Sequence, residues 1–193
     1  MEQRTPEWFK ARAGMITGSR CAAIAKSTTT QTAQNLIDTL RWERRNGVCA
    51  PTYSNPAMER GTELEPLARK EYEIETLSVV DEVGFIVHPE YEFIGASPDG
   101  LVGDDGMVEI KCPAETSAHL HQRHIDSGHY AKYYKWQLVL QMACADRAWV
   151  DVVSYFPVEG ETQPLEIWRV ERDEETEKEL INACVKAWEK VTA

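Results

Sequence analysis

Ser97-Pro98-Asp99-Gly100-Leu101-Val102, followed by Asp104-Asp105-Gly106-Met107-Val108-Glu109-Ile110-Lys111-Cys112-Pro113, is the stretch on which the reading of this chain turns. Pro98-Asp99-Gly100 and Asp104-Asp105-Gly106 are turn signals, and the residues from Met107 to Cys112 form a short strand. Side chains along a strand point to opposite faces in turn. Val108, Ile110 and Cys112 therefore share one face, and Glu109 and Lys111 share the other. One hairpin thus carries Asp99, at a strand-end turn, toward Glu109 on the returning strand. Two carboxylates so placed can converge on a hard divalent cation, which favours carboxylate, carbonyl and water oxygens. Lys111 on the same face can orient or deprotonate a water while the cation polarises a phosphoryl oxygen. The alternative is that Glu109 and Lys111 are the solvated face of an amphipathic strand.

Outward from this hairpin, Val79 to Val87 and Phe93 to Ala96 read as two further β segments. Toward the N-terminus, Thr5-Pro6-Glu7 is a helix start with Thr5 as N-cap, Gly14 is its stop, and Trp8 and Arg12 share a face. Helices are predicted from about Thr30 to Arg45 and from about Pro56 to Thr76, separated by a loop from Asn46 to Asn55. After Pro113 the pattern is helical to about Asp146. It turns to β at Arg147 to Tyr155 and Leu165 to Val170, and closes with a helix from about Asp173 to Val191. The sum is an α+β fold, a central mixed β-sheet flanked by helices.

The chain has 193 residues, near the size of one ordinary domain, and no repeat or linker marks a boundary, so a single domain spanning 1–193 is expected. No apolar run approaches the length of a bilayer span and the start lacks a secretory pattern, which points to the cytosol of a bacterial or phage-infected cell and to no membrane partner. Cys21, Cys49, Cys112, Cys144 and Cys184 are odd in number and never spaced as CxxC, so they read as reduced, mostly buried thiols. The formal net charge of -11 counts against a protein that coats nucleic acid non-specifically through Lys and Arg. It does not exclude an enzyme whose metal supplies positive charge at the scissile phosphate. The acid is also uneven: Glu171 to Glu179 holds much of it, whereas Lys111 to Lys135 carries Arg123, Lys132, Lys135 and four histidines.

Pro98-Asp99 and Glu109-Ile110-Lys111 match the motif of the PD-(D/E)XK nucleases, and four blocks extend the likeness. These are Trp8-Phe9-Lys10-Ala11-Arg12 with Ile16-Thr17-Gly18-Ser19; Arg60-Gly61-Thr62-Glu63-Leu64-Glu65 with Ala68; Ser97 to Leu101 with Glu109 to Pro113; and Gln137 to Met142. Together they resemble the phage-type alkaline exonucleases of the lambda exonuclease, or YqaJ-like, family from near the N-terminus to about Phe156. The resemblance implies that Asp99, Glu109 and the Ile110 backbone carbonyl hold Mg2+, two ions in all, with Mn2+ able to substitute. It places Glu65 nearby and assigns Lys111 and Gln137 to the nucleophile. Gln137 is preferred to Gln141, which lies on the same helix face. Without the resemblance, Glu65 reads as an exposed helix glutamate among Glu59, Glu63 and Glu71.

Arg12, Ser19 and Ser97 match the family's positions for a terminal 5′-phosphate, and a guanidinium with hydroxyl donors suits that anion. The alternative for Arg12 is a surface charge. The family's loop arginine after Cys-Pro is absent from Pro113 to His119, leaving His119 or Arg123 as possible substitutes. His119, His121, His124 and His129 lack a zinc-site pattern and are expected in backbone or phosphate contacts and in solvent. Tyr130, Tyr133, Tyr134 and Trp136 are partly core by helical spacing, with contact to DNA as the alternative for some of them. The resemblance implies a 5′→3′ exonuclease on 5′-phosphorylated double-stranded DNA ends that leaves 3′ tails, acts as a ring-shaped homotrimer and works with a single-strand annealing protein. A structure- or sequence-specific endonuclease is the alternative, and a scaffold with a decayed site is opposed by the intact Asp99, Glu109 and Lys111.

Overall fold

A computed structural model describes residues 1–51 and 55–193; residues 52–54, in the middle of the loop read over 46–55, lie outside it. The elements in chain order are α1 (Pro6–Arg12), β1 (Ile16–Thr17), α2 (Gln31–Asn46), α3 (Pro56–Thr76), β2 (Val80–Asp81), β3 (Ile86–Val87), β4 (Ile94–Ala96), β5 (Gly100–Val102), β6 (Gly106–Lys111), α4 (Ala118–Ser127), α5 (His129–Tyr133), α6 (Lys135–Ala145), β7 (Trp149–Tyr155), β8 (Leu165–Glu171) and α7 (Glu174–Thr192). Side chains cap the helix starts where the sequence offers them. Thr5 accepts from Trp8 N–H, Thr30 from Ala33 N–H, Asn55 from Met58 N–H, and Asp173 from Glu175 and Thr176 N–H. No helix among the described residues is long and apolar enough to cross a membrane.

The main sheet has the order β2-β5-β6-β7-β8, with β6 and β7 parallel and the other pairs antiparallel, so it is mixed as expected. A smaller sheet, β1-β4-β3, lies beside it. Ala68 and Tyr72 of α3 pack with Val108, Ile110 and Val153 on one face of the main sheet. Tyr130, Leu138 and Met142 of α5 and α6 pack with Met107, Val150 and Val152 on the other. Alternation along β6 therefore turns Val108 and Ile110 to α3, and Met107, Glu109 and Lys111 to α5 and α6. A third cluster joins α2, α6 and α7 to the small sheet through Ile16, Leu40, Ile94, Leu140 and Leu180.

Three sequence expectations need correction. The segment from Val79 to Val87 is not one strand: its two ends pair in different sheets, and the chain crosses at Gly84, where an added Cβ would lie 2.1 Å from the Met1 carbonyl oxygen. β5 lies between the two turn signals and was not expected, because three residues are too few to display alternation; its pairing with β6 defines it. The stretch after Pro113 is a short 3-10 turn (Glu115–Ser117) and then three α-helices rather than one. Gly128 ends α4 with φ +63, and Tyr134 breaks the next turn at φ -96, ψ 16. One face of α4 packs toward β7, so two of the four histidines make the backbone contacts expected of them but do so buried rather than in solvent. His121 bonds to the Ser154 hydroxyl and the Gln163 carbonyl, and His124 donates to the Val152 carbonyl. Burial lowers the His124 pKa to about 4, so it is neutral. All five cysteines are free, with Cys21, Cys144 and Cys184 buried.

Glu43 ties the N-terminal segments together. Fully buried on α2, it accepts both Arg20 guanidinium nitrogens at 2.8 Å and the Gly14 and Ala50 N–H groups at 2.8 Å. Burial alone would raise its pKa, but Arg20 and the two N–H groups outweigh that and hold it below the ordinary 4.5. A depressed carboxylate adds stability that is complete above the unfolded value and is lost as pH falls through the folded one. Glu43→Gln is therefore expected to destabilise the protein at pH 7 by about 3 kcal/mol, the lower end for breaking a buried pair because Arg20 keeps some water contact. The deficit should shrink below about pH 4.5. Urea melts of both proteins at several pH values measure this, and a pH-independent difference would contradict it.

Candidate active site

Asp99 sits at the bend before β5 and Glu109 in the middle of β6, and the hairpin brings both to one cleft. An Asp99 carboxylate oxygen accepts the Ile110 N–H at 2.7 Å, which fastens the bend to β6. Glu109, 3% exposed, takes three donors. Lys111 Nζ and Gln137 Nε2 reach one of its oxygens at 2.5 and 2.6 Å, and Gln141 Nε2 reaches the other at 2.7 Å. Both glutamines of α6 thus converge on the same carboxylate. The i, i+4 spacing was the signal for Gln141, and its deeper burial suits a residue that holds Glu109 in place. Lys111 also lies 4.3 Å over the Tyr134 ring.

The electrostatics of this corner are unbalanced. Burial, then Glu109 and Glu65, push the Asp99 pKa well above 3.8, against the opposing pull of Lys111 and the Ile110 N–H. Burial works against the Lys111 charge, yet Glu109 and Asp99 more than offset it and hold the ammonium protonated. A site that leaves a carboxyl so reluctant to ionise is one that a cation would relieve. Among the described residues no three His, Cys, Asp or Glu side chains converge tightly enough to cage a metal by themselves. Two carboxylates, the neighbouring Ile110 carbonyl and waters nevertheless form the donor set that magnesium accepts, since it retains several waters and needs few protein oxygens. The residues present fit that ion.

Glu65, on α3, faces the same cleft but is held by two guanidiniums, Arg4 at 2.7 Å and Arg69 at 2.9 Å. Arg69 also pairs with Glu82 at 3.0 Å. Arg4 and Arg69 had not been singled out in the sequence, where nothing local marks them.

Arg12 and Ser19 line an adjoining cavity with Trp8, Phe9 and Arg20. The Arg12 guanidinium stacks 3.8 Å over the Trp8 ring and lies 3.4 Å from the Ser19 hydroxyl. Burial and then the nearby Arg20 lower its pKa to about 10, the condition of a cation short of an anion. Ser97 lies behind this wall: its hydroxyl accepts the Trp8 indole N–H at 2.9 Å and keeps its own proton to donate. His119 and Arg123 are exposed on α4 and line neither cavity. Of the tyrosines, Tyr130 is buried, Tyr134 lines the cleft and Tyr133 is exposed.

The YqaJ-like viral recombinase domain matches residues 7–148. The crystal structure of LHK-Exo in complex with dAMP is 41% identical, with TM-score 0.88 over 97% of this chain and 93% of its own. The alkaline exonuclease LHK-Exo from Laribacter hongkongensis, also 41% identical, superposes with TM-score 0.83 over 97% and 95%. A phage-related exonuclease from Haemophilus somnus 129PT, 17% identical, shares the fold with TM-score 0.76 over 92% and 93%. A search of curated proteins returns no significant match. On the length of the domain match and the identity to LHK-Exo, this chain belongs to the phage-type alkaline exonuclease family with the YqaJ-like viral recombinase domain.

Proposed function

We propose that this protein is a magnesium-dependent 5′→3′ exonuclease that digests one strand of linear double-stranded DNA and leaves 3′ single-stranded tails for recombination. The observation that carries the reading is the adjacency of two chemically distinct places. One is the acidic corner of Asp99, Glu109 and Lys111, and the other is the anion-seeking Arg12 cavity. An exonuclease that starts from a 5′-phosphate needs both, separated by about one nucleotide. The relative crystallised with dAMP supports a mononucleotide product.

Asp99, Glu109 and the Ile110 carbonyl would hold Mg2+, two ions with Glu65 close by, and Mn2+ would serve in its place. Bound there, the metal would supply polarisation of the phosphoryl oxygen and a lowered pKa for the attacking water. Lys111 and Gln137, both on one Glu109 oxygen, point the attacking water at phosphorus. Water oxygen bonds to phosphorus and the bond from phosphorus to the terminal nucleotide's O3′ breaks, with the attacking water giving up a proton to solvent and O3′ taking one up from solvent to leave as a hydroxyl. The new end carries a 5′-phosphate, so each product is the next substrate for Arg12, Ser19 and Ser97. The reading includes a ring-shaped homotrimer, and exposed apolar side chains along and after the C-terminal half of α3, Leu67, Ile74, Leu77 and Val79, offer surface for association between copies. Action in the cytosol beside a single-strand annealing protein completes the reading.

Asp99→Ala and Glu109→Ala are expected to abolish cleavage while the chain stays folded. Asp99→Asn should raise the melting temperature of metal-free protein at neutral pH. A carboxyl with a raised folded pKa costs no stability below its unfolded value and its full penalty above the folded one, and the amide removes that penalty. Near-normal magnesium-dependent turnover in either Ala variant would sink the assignment. Lys111→Ala should keep metal binding by calorimetry yet lose most turnover, and the reverse pattern would exchange the roles.

The end group of the substrate tests the exonuclease reading itself. Labelled linear duplex should be degraded in magnesium and spared in chelator, and covalently closed circles should survive. A 5′-phosphate should be preferred over a 5′-hydroxyl by roughly tenfold or more, the worth of a charge-assisted hydrogen bond expressed in the transition state. Arg12→Ala should erase the preference. Equal rates on both ends, with cutting of circles, would favour an endonuclease.

A further inference from the structure

The N-terminal residues Met1 to Thr5 are fastened across the mouth of the cleft. Gln3 Nε2 donates to the Val83 and Pro98 carbonyls at 3.0 and 2.8 Å, and Thr5 caps α1. Between these two anchors stands Arg4, with φ +66, a left-handed conformation that an L-residue with a long side chain adopts only when its surroundings impose it. Backbone held on both sides and side chain half in solvent is the combination of a fixed pivot and a movable arm.

The position of that arm is specific. A cavity of about 570 Å3 contains Asp99, Glu109 and Lys111, one of about 320 Å3 contains Glu65, Arg69 and Asp99, and one of about 650 Å3 contains Trp8, Arg12 and Ser19. Among the described residues Arg4 alone lines all three. Its guanidinium is bonded only to Glu65 among the described residues, and Glu65 has a second partner in the buried Arg69, which also holds Glu82 and the Asp99 carbonyl. Glu65 therefore stays neutralised if Arg4 leaves. Arg4 is half exposed while Glu65 is largely buried and keeps Arg69, so of the two cations Arg4 is the one whose departure leaves no buried charge unpaired.

We propose that Arg4 is a transferable counter-ion. It neutralises Glu65 in the free enzyme and passes to a backbone phosphate of the bound strand, between the nuclease corner and the Arg12 cavity, when a divalent cation takes over the carboxylates. The inference rests on the exonuclease reading for its ligand, DNA, and on the geometry of Arg4 for the exchange. Arg4 is a substrate-binding residue in this scheme: it meets a backbone phosphate of the strand but neither binds the metal nor touches the attacking water. Its charge serves the acidic corner when the site is empty and the DNA when it is filled, so a strongly acidic centre is kept from repelling the phosphate next to it.

The exchange has two readouts that a structural tether would not move. Mn2+ binding to the protein without DNA, measured by calorimetry, should tighten in Arg4→Ala by up to about fivefold, because the competitor for Glu65 is gone. Binding of a fluorescent 5′-phosphorylated duplex in magnesium, measured by anisotropy in a Lys111→Ala background, should lose about 0.9 from the slope of log affinity against log salt, the signature of one phosphate contact. Arg4→Lys should restore the salt slope. Thermal melting confirms that each variant is folded, and Arg4 is exposed enough for the substitutions to be tolerated. Unchanged Mn2+ affinity, or an unchanged salt slope, overturns the proposal and leaves Arg4 as a tether of the N-terminal arm. Cutting of closed circles by the wild type would overturn the exonuclease reading instead, with the calorimetry still deciding the exchange at Glu65.

Discussion

Glu109 is a buried carboxylate with three donors on two oxygens, and that arrangement joins the parts of the molecule that matter for the cleft. Lys111 comes from the same strand, while Gln137 and Gln141 come from α6, so the charge fixes the distance between helix and sheet. Asp99 is brought in by its bond to the Ile110 N–H, one residue along β6. A buried carboxylate left without such partners would cost several kcal/mol, roughly 3–5 for a broken ion pair. The fold meets that cost locally and completely for Glu109, and incompletely for Asp99. The residual imbalance, seen in the raised Asp99 pKa, makes the corner receptive to a cation. Local rules are commonly violated where function requires it.

The charge distribution follows the same logic. A net charge of -11 looks hostile to DNA, yet the acid has identifiable structural uses elsewhere. Asp173 caps α7, and Glu174, Glu175 and Glu177 occupy its first turn, where the helix dipole favours negative charge. Glu177 and Asp146 also pair with Arg172, and Asp151 pairs with Arg169 while accepting the Tyr72 hydroxyl. Arg12, which has no carboxylate partner within ion-pair distance among the described residues, lines the cavity beside the cleft, and Arg4, paired with Glu65, lines both. Glu43 contributes by holding Arg20 beside Arg12, so that one arginine of the pair is neutralised and the other seeks an anion.

Local signals were enough for much of this. Thr5 announces α1, and the helices read from about Thr30, Pro56 and Asp173 form close to those starts, where Thr30, Asn55 and Asp173 prove to be the caps, since a cap is a bond between near neighbours. The opposed faces of β6 follow from the period of a strand and hold in the sheet. What misled the reading was brevity: β5 is three residues long, and the Val79 to Val87 stretch divides between two sheets at a glycine whose constraint is the distant Met1.

The sequence by itself determined the α+β class, the meeting of Asp99 with Glu109 and Lys111 on one hairpin, and the pairing of Trp8 with Arg12 on one helix face. All of these are set by spacings of a few residues. Only the tertiary structure decided that both Gln137 and Gln141 bind Glu109, that Glu65 is shared by Arg4 and Arg69, and that His121 and His124 are buried. Those arrangements join segments tens of residues apart, and no local propensity encodes which distant partner a side chain will meet. The partner is fixed when α3, α6 and the N-terminal arm pack around the sheet and each buried charge must find a donor.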